Sequence, residues 1–452
     1  MGKKTKMIGD KYNKFLSILL SENTFCFYVI ACMIAVPLTE LIAEFMGQQL
    51  WWEMTTFTVF SIVGLFLCSA KIALYPTGKH WSDIFFFTLH IFMFLSLIFS
   101  CDIMRIYRTN STTNEYPQFF VGYYCMMFAG FQLSSVKSRK RVLYTFLSLS
   151  LVEGIISSLQ TYRIRIMPVL WGWGGGNVDT THAYGLTQNA NLWGGLSVLF
   201  LGAVACTFIF CKKKPFKIAL GVLLLIVAYS SYGSMSRLAW VGDIAIIISL
   251  LISLLIMKKR NKGDKDYKGY FISLAAVVAI VAVAVGVSFI NPDSFAATKF
   301  SQISTDLQGT TKGSNRGYLW YFALSSVKNH WVTGVGIDNL RWCFSENIHW
   351  FENMHSSNQA HNEYIQVLAT QGVFALANYL ILLIITAVRG IKRVLFTEDD
   401  EDRKLTWTYL MMFAGYAVAS FFLFRSFNVV MYFFLTIGLV DPRKHDLELA
   451  RR

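Results

Sequence analysis

Residues 270–290 read YFISLAAVVAIVAVAVGVSFI, an uninterrupted uncharged stretch that follows the basic run from Lys258 to Lys268. About 20 apolar residues are enough to cross the hydrocarbon core of a bilayer as a helix, so this stretch predicts a transmembrane span. Eleven further stretches of the same character occupy residues 17–38, 52–72, 84–106, 117–136, 142–161, 190–211, 218–234, 238–257, 363–388, 405–424 and 427–440. The basic-then-apolar opening has the outline of a signal peptide. It lacks a clear small-residue cleavage site and leads into further spans, so it reads as a retained first helix. Composition agrees: 54% of the 452 residues are hydrophobic and 15% charged, against about a quarter charged in soluble chains. Most of the surface must face lipid. That excludes a disordered scaffold, a secreted disulfide framework and a cytosolic two-domain enzyme, and leaves an all-α polytopic membrane protein of about twelve transmembrane helices.

The net charge of +14 would point to nucleic acid in a soluble protein, so the placement of the positive residues decides its meaning. With the N-terminus in the cytoplasm, most Lys and Arg fall in cytoplasmic segments. These are Lys3 to Lys14, Lys71 and Lys79, the 137–141 and 212–217 clusters, the 258–268 run, the 389–404 loop and the C-terminal tail. Such a bias sets orientation. Both termini are therefore expected inside, and no nucleic-acid partner is needed. The chain divides into a bundle of nine spans over residues 1–290, a large extracytoplasmic loop with short amphipathic helices over 291–360, three spans over 361–440 and a cytoplasmic tail over 441–452. A second outer loop, 162–189, contains Gly174-Gly175-Gly176. The acidic run Glu398-Asp399-Asp400-Glu401-Asp402 lies on the cytoplasmic side and reads as a solvated loop rather than a cation site.

Polar groups at the outer ends of the spans carry the chemistry. Arg237, in Gly233-Ser234-Met235-Ser236-Arg237, sits in the tight turn between spans seven and eight. It reads either as a snorkelling side chain or as a planar fork of donors aimed at phosphate. Arg316 begins a segment with Ala323, Leu324 and Val327 at helical spacing, closed by Gly334-Val335-Gly336; it is a surface residue or a ligand. His361, in Asn358-Gln359-Ala360-His361-Asn362-Glu363-Tyr364, lies where the large loop feeds span ten. In the first turn of a helix the positive end of the dipole disfavours protonation, so this imidazole is expected to be neutral. It is then a structural cap or a general base. His349, His355 and His361 are spaced too widely for zinc ligands on a helix. Trp171, Trp173, Trp331, Trp342 and Trp350 either stack on sugar rings or anchor at headgroup level. Seven of the eight Cys lie in or beside apolar spans. A bridge from the eighth, Cys343, to Cys101 is conceivable. Asn110-Ser111-Thr112 fits a glycosylation acceptor pattern, a weak signal.

Four stretches, taken in order, resemble the motifs of the bacterial O-antigen ligase and polymerase family, membrane glycosyltransferases that use polyprenyl-diphosphate-linked glycans. They are Gly185-Leu186-Thr187-Gln188-Asn189-Ala190-Asn191, then Ser236-Arg237, then Asn315-Arg316 through Trp320 to Gly334-Val335-Gly336, and finally Ala360-His361-Asn362-Glu363-Tyr364-Ile365-Gln366 continuing to Gly372. The resemblance covers about residues 185 to 380. It implies a GT-C-like fold in the bacterial inner membrane, an extracytoplasmic active site, and an inverting transfer that needs neither metal nor cofactor. His361 would take the proton from the acceptor sugar hydroxyl, while Arg237 and Arg316 would hold the diphosphate of an undecaprenyl-diphosphate-linked donor. Asn191, Ser236, Asn315, Trp320, Arg341 and Asn362, within or near these motifs, are candidates for substrate contacts.

Family members either polymerise repeat units onto a lipid-linked glycan or ligate a finished glycan to a lipid core or other acceptor. The expectation here is a polymerase, since the sequence carries no appended acceptor-handling domain. A flippase for lipid-linked sugars is the competing class. Transporters tend to show related halves with broken helices at mid-membrane, whereas here the halves look unalike and the polar groups gather at one face.

Overall fold

A lipid-spanning segment must satisfy its own backbone hydrogen bonds, which a helix does without outside partners. In the computed structural model each of the twelve apolar stretches accordingly contains a helix, and no strand occurs among the described residues. Those residues are 14–46, 51–74, 81–103, 115–161, 183–187, 189–260, 266–289, 316–340, 342–345 and 359–443. Asn315, Arg341, the Asn110 acceptor pattern, Trp171, Trp173, Trp350, His349 and His355 lie outside them.

The first five helices are α1 (Glu22–Met46), α2 (Trp51–Leu74), α3 (Trp81–Ile98), α4 (Pro117–Gln132) and α5 (Val136–Thr161). Four more follow: α6 (Ala190–Phe210), α7 (Lys214–Gly233), α8 (Arg237–Lys259) and α9 (Tyr267–Phe289). Two shorter ones, α10 (Arg316–His330) and α11 (Trp342–Ser345), precede α12 (Glu363–Phe396), α13 (Asp400–Ala419) with its 3-10 extension Ser420–Phe422, and α14 (Phe427–Val440). Among the described residues ten helices are long and apolar enough to cross a membrane; α4 and α14, at 16 and 14 residues, are shorter. The protein is an all-α polytopic membrane protein.

The short pair forms the centre. Every residue of α14 is buried, as is most of α4 and α6, so these helices meet protein on all sides. Small residues permit the closest crossing: a methyl group at Gly438 would lie 2.3 Å from the Met127 carbonyl oxygen, and one at Gly130 would lie 2.8 Å from that of Leu435. The outer helices turn apolar side chains such as Phe66 (α2), Ile98 (the last residue of α3), Ile218 (α7), Ile272 (α9) and Ile384 (α12) away from the protein, as a lipid-facing surface requires.

At the end of the bundle where α5 and α13 begin, charges compensate one another. Fully buried Arg139 pairs with Asp402 and also donates to Thr406 Oγ1 at 3.0 Å and to the Leu439 carbonyl at 2.9 Å. Arg393 grips Asp402 with two donors at 3.0 and 3.1 Å, Arg389 pairs with Asp441, and Arg443 with Asp83. This corrects three sequence expectations. The 137–141 cluster is the start of α5, Arg389 and Arg393 lie on α12, and the acidic run leaves the loop at Asp400, where α13 begins. Asp399 caps α13 by accepting from Glu401 N at 2.9 Å, and the acids that follow occupy the first turn, where the helix dipole favours negative charge.

Candidate active site

At the opposite end, Arg237, Arg316 and His361 come together although 124 residues separate the first from the last (361 − 237). Each is placed by a helix start. Arg237 is the first residue of α8, after Met235 in left-handed conformation (φ 52°) and Ser236, whose hydroxyl donates to Asn191 Oδ1 at 2.9 Å. Asn189 in turn caps α6, its side chain accepting from Asn191 N at 2.8 Å. Two of the four motifs thus form one joint between α6 and α8.

Arg316 is the first residue of α10 and donates to the Phe422 carbonyl at 3.4 Å. One face of α10 seats Leu319, Phe322 and Ala323 in a small cluster with Val335, Leu340, Cys343, Ala360 and Ala369. Cys101 packs against the same cluster, but no disulfide joins it to Cys343. The glycine turn fastens α10 to α12. Val335 N donates to Ala369 O at 2.9 Å, Gly336 N to Thr370 O at 3.0 Å, and Val373 N to Trp331 O at 2.8 Å. This requires a break in α12, and Gly372 provides it with φ 87° and ψ 176°, a region essentially confined to glycine.

His361 does not lie in the first turn of a helix, as the sequence suggested. It precedes the cap residue Asn362 and has φ 49°. Its ring meets Phe424 edge to face, with centroids 5.2 Å apart, and its Nδ1 is buried without a hydrogen bond. Burial, and then the neighbouring Arg316 charge, push the imidazole down to about 4. The neutral form expected from the sequence is therefore favoured, though by desolvation and a cation rather than by a helix dipole. Burial and then Arg237 likewise lower Arg316 from its ordinary value. Arg237 acts on Arg316, and Arg316 on His361, so the three lie within electrostatic reach in series.

The expected substrate contacts divide. Ser236 and Asn191 bond to each other beside Arg237. Trp320 Nε1 donates to the Ala360 carbonyl at 2.9 Å, and Asn362 Oδ1 accepts from Tyr364 N and Ile365 N at 3.0 Å. These last two side chains hold the backbone on either side of His361. Sequence reasoning passed over the segment from Phe421 to Arg425. It supplies the Phe422 carbonyl and the Phe424 ring, and its Arg425 makes a buried pair with Glu363 at 3.0 Å, which Tyr379 joins at 2.7 Å. A fixed charge in a tight turn between two apolar helices was the available signal, the same one that singled out Arg237.

Residues 220–380 match the family model described as O-antigen ligase. A search of curated proteins returns no match. The matched region contains Arg237, Arg316 and His361, and the model describes the family whose motif order the sequence resembles.

Proposed function

From a chain whose residues 220–380 belong to the O-antigen ligase family, we propose a membrane glycosyltransferase. It moves a glycan from undecaprenyl diphosphate to an acceptor sugar hydroxyl on the extracytoplasmic side and extends surface polysaccharide by repeat units. The observation that carries this reading is the series Arg237, Arg316, His361: one guanidinium group within electrostatic reach of a second, and the second within reach of an imidazole held neutral.

The chemistry follows from that arrangement. His361 accepts the proton of the acceptor hydroxyl as its oxygen attacks the anomeric carbon. The bond from that carbon to the diphosphate oxygen breaks, and polyprenyl diphosphate leaves with the electron pair. Negative charge grows on the leaving group, where prepositioned cations in a poorly hydrated cleft act most strongly. Attack from the face opposite the leaving group inverts the anomeric centre. The orientation read from the basic residues puts this end of the bundle outside.

The test is purified protein given a single species of undecaprenyl-diphosphate-linked oligosaccharide. A ladder of products is expected from a polymerase, whereas product only after a second acceptor is added assigns a ligase. His361→Ala is expected to lower turnover by about a hundred- to ten-thousandfold. Full activity of that variant in folded protein would refute the mechanism. Translocation of the lipid-linked sugar without a new glycosidic bond would refute the enzyme.

A further inference from the structure

His361 is a non-glycine residue in the left-handed region, a strained conformation that persists only where neighbouring structure imposes it. The imposing contacts fall on the peptide groups either side. After His361, Asn362 is fixed by its own cap on α12. Before it, Ala360 is fully buried and gripped at both polar atoms. Its carbonyl accepts from Trp320 Nε1 at 2.9 Å, and its N–H donates to Gln366 Oε1 at 2.8 Å.

Gln366 lies one turn into α12, 1% exposed, and the other end of its amide donates to Glu115 Oε2 at 2.9 Å. That carboxyl comes from the residues just before α4, far off in sequence. It is itself 2% exposed and accepts from the backbone N–H of Asp338, in the loop after α10. Glu115, Gln366 and Ala360 thus form a relay of three hydrogen bonds. One end is anchored in the α10 loop, the other at the residue that sets the His361 backbone. The Ala360 N–H fixes the orientation of the Gln366 amide, because a backbone N–H cannot accept, so the Gln366 oxygen must face Ala360 and its NH2 group must face Glu115.

We infer that Gln366 and Glu115 are positioning residues for the transfer reaction, holding His361 in its left-handed conformation so that the imidazole meets the acceptor hydroxyl. This rests on the proposed role of His361 as the base. The two side chains touch no reacting atom in this scheme. Their effect passes through the Ala360 peptide, and a displacement of about 1 Å at a reacting group can cost on the order of a hundredfold in rate.

The experiment measures kcat and KM of purified full-length protein in nanodiscs with an undecaprenyl-diphosphate-linked oligosaccharide, alongside its unfolding temperature. Gln366→Ala is expected to lower kcat by on the order of tenfold to a hundredfold, with KM for the donor nearly unchanged. The exchange Gln366→Glu combined with Glu115→Gln keeps all three hydrogen bonds with the amide and carboxyl roles reversed. It is expected to restore kcat to within about threefold of wild type, whereas Gln366→Glu alone sets two carboxyls against each other and stays impaired; such rescue is the signature of direct coupling. Wild-type kcat in Gln366→Ala, a loss confined to KM, or failure of the exchange in protein that unfolds at the wild-type temperature would each overturn the inference. If wild type forms no glycosidic bond, it is the proposed function that fails, a result distinct from any of these.

Discussion

The joint at Gly372 gives the sharpest test of how the site is assembled. In Gly372→Ala the new methyl carbon would lie 2.1 Å from the Val332 carbonyl oxygen and 2.4 Å from its carbon. Carbon-to-oxygen contacts settle at about 3.3–3.6 Å, so the α10 loop and α12 would have to separate by roughly 1.2 Å. The atoms in the way are backbone, and three hydrogen bonds pin that backbone in place: Val373 N to Trp331 O, Val335 N to Ala369 O and Gly336 N to Thr370 O. The forced conformation costs about 1–3 kcal/mol, and each loosened bond about 0.5–1.5 kcal/mol. Together these make a loss of about 2.5–7.5 kcal/mol the expected outcome. Because the same joint seats α10, Arg316 moves relative to His361 and turnover falls by on the order of a hundredfold. Denaturing-detergent titration gives the stability and glycan transfer gives the rate. Gly286→Ala is the control, since a methyl group there meets nothing within 4 Å, and replacing a helical glycine by alanine is worth up to about 1 kcal/mol in the stabilising direction. The reasoning is refuted if Gly372→Ala is no more harmful than this control.

The remaining expectations concern charge. Burial and Arg316 hold His361 at about 4, so kcat/KM should fall as pH drops through about 4 rather than through the ordinary histidine value near 6.5; Arg316→Gln should move this limb upward, and a limb near 6.5 that ignores Arg316 would contradict the site. The acidic limb of kcat should lie above that of kcat/KM, because the donor diphosphate offsets the Arg316 charge; coincident limbs would exclude that effect. Arg139→Met at the opposite end removes one partner of a buried ion pair and should destabilise the protein by about 3–5 kcal/mol while leaving turnover per folded molecule intact. Lowered turnover in that variant would mean that the two ends are coupled. Excess EDTA should leave the rate unchanged if the two guanidinium groups alone balance the leaving diphosphate, and recovery of activity only on adding Mg²⁺ would show otherwise.

Fold class was legible because lipid exposure is written into composition: uncharged runs such as residues 270–290 admit few other readings. The boundaries were less legible. A run of Lys and Arg looks like a loop when read alone, yet Arg139 enters α5 because Asp402, 263 residues away, supplies its counter-charge. Hydropathy is local and pairing is not. The same limit applies at the site. Helix-start patterns located Arg237, Arg316 and His361, since caps and glycine turns are local devices. The residues that hold His361 were hidden for the opposite reason. Gln366 reads as an ordinary polar helix residue until Glu115 is brought beside it across 251 positions. Nor could a sequence pattern give the left-handed backbone at His361, because nothing in a histidine announces it; the conformation is imposed from both sides.

The two ends of the bundle solve the problem of charge near lipid differently, and the difference bears on the order of events. At the α5 and α13 end, arginines are matched by Asp402, Asp441 and Asp83, so that end is already balanced. At the other end Glu363 and Arg425 pair with each other and are both buried, while Arg316 is depressed by burial and by Arg237. That environment favours an incoming anion. The same cation that would receive the diphosphate also keeps His361 a weak base. In the proposed reaction, donor binding therefore has two effects at once. It relieves the repulsion between the guanidinium groups, and by offsetting the Arg316 charge it raises the proton affinity of the imidazole toward the range in which a general base works well at neutral pH. An acceptor that arrived first would meet a base not yet able to take its proton. In the proposed reaction, activation of the nucleophile would thus depend on the presence of the donor, and a lipid-linked glycan would meet a competent base only once its own diphosphate is in place.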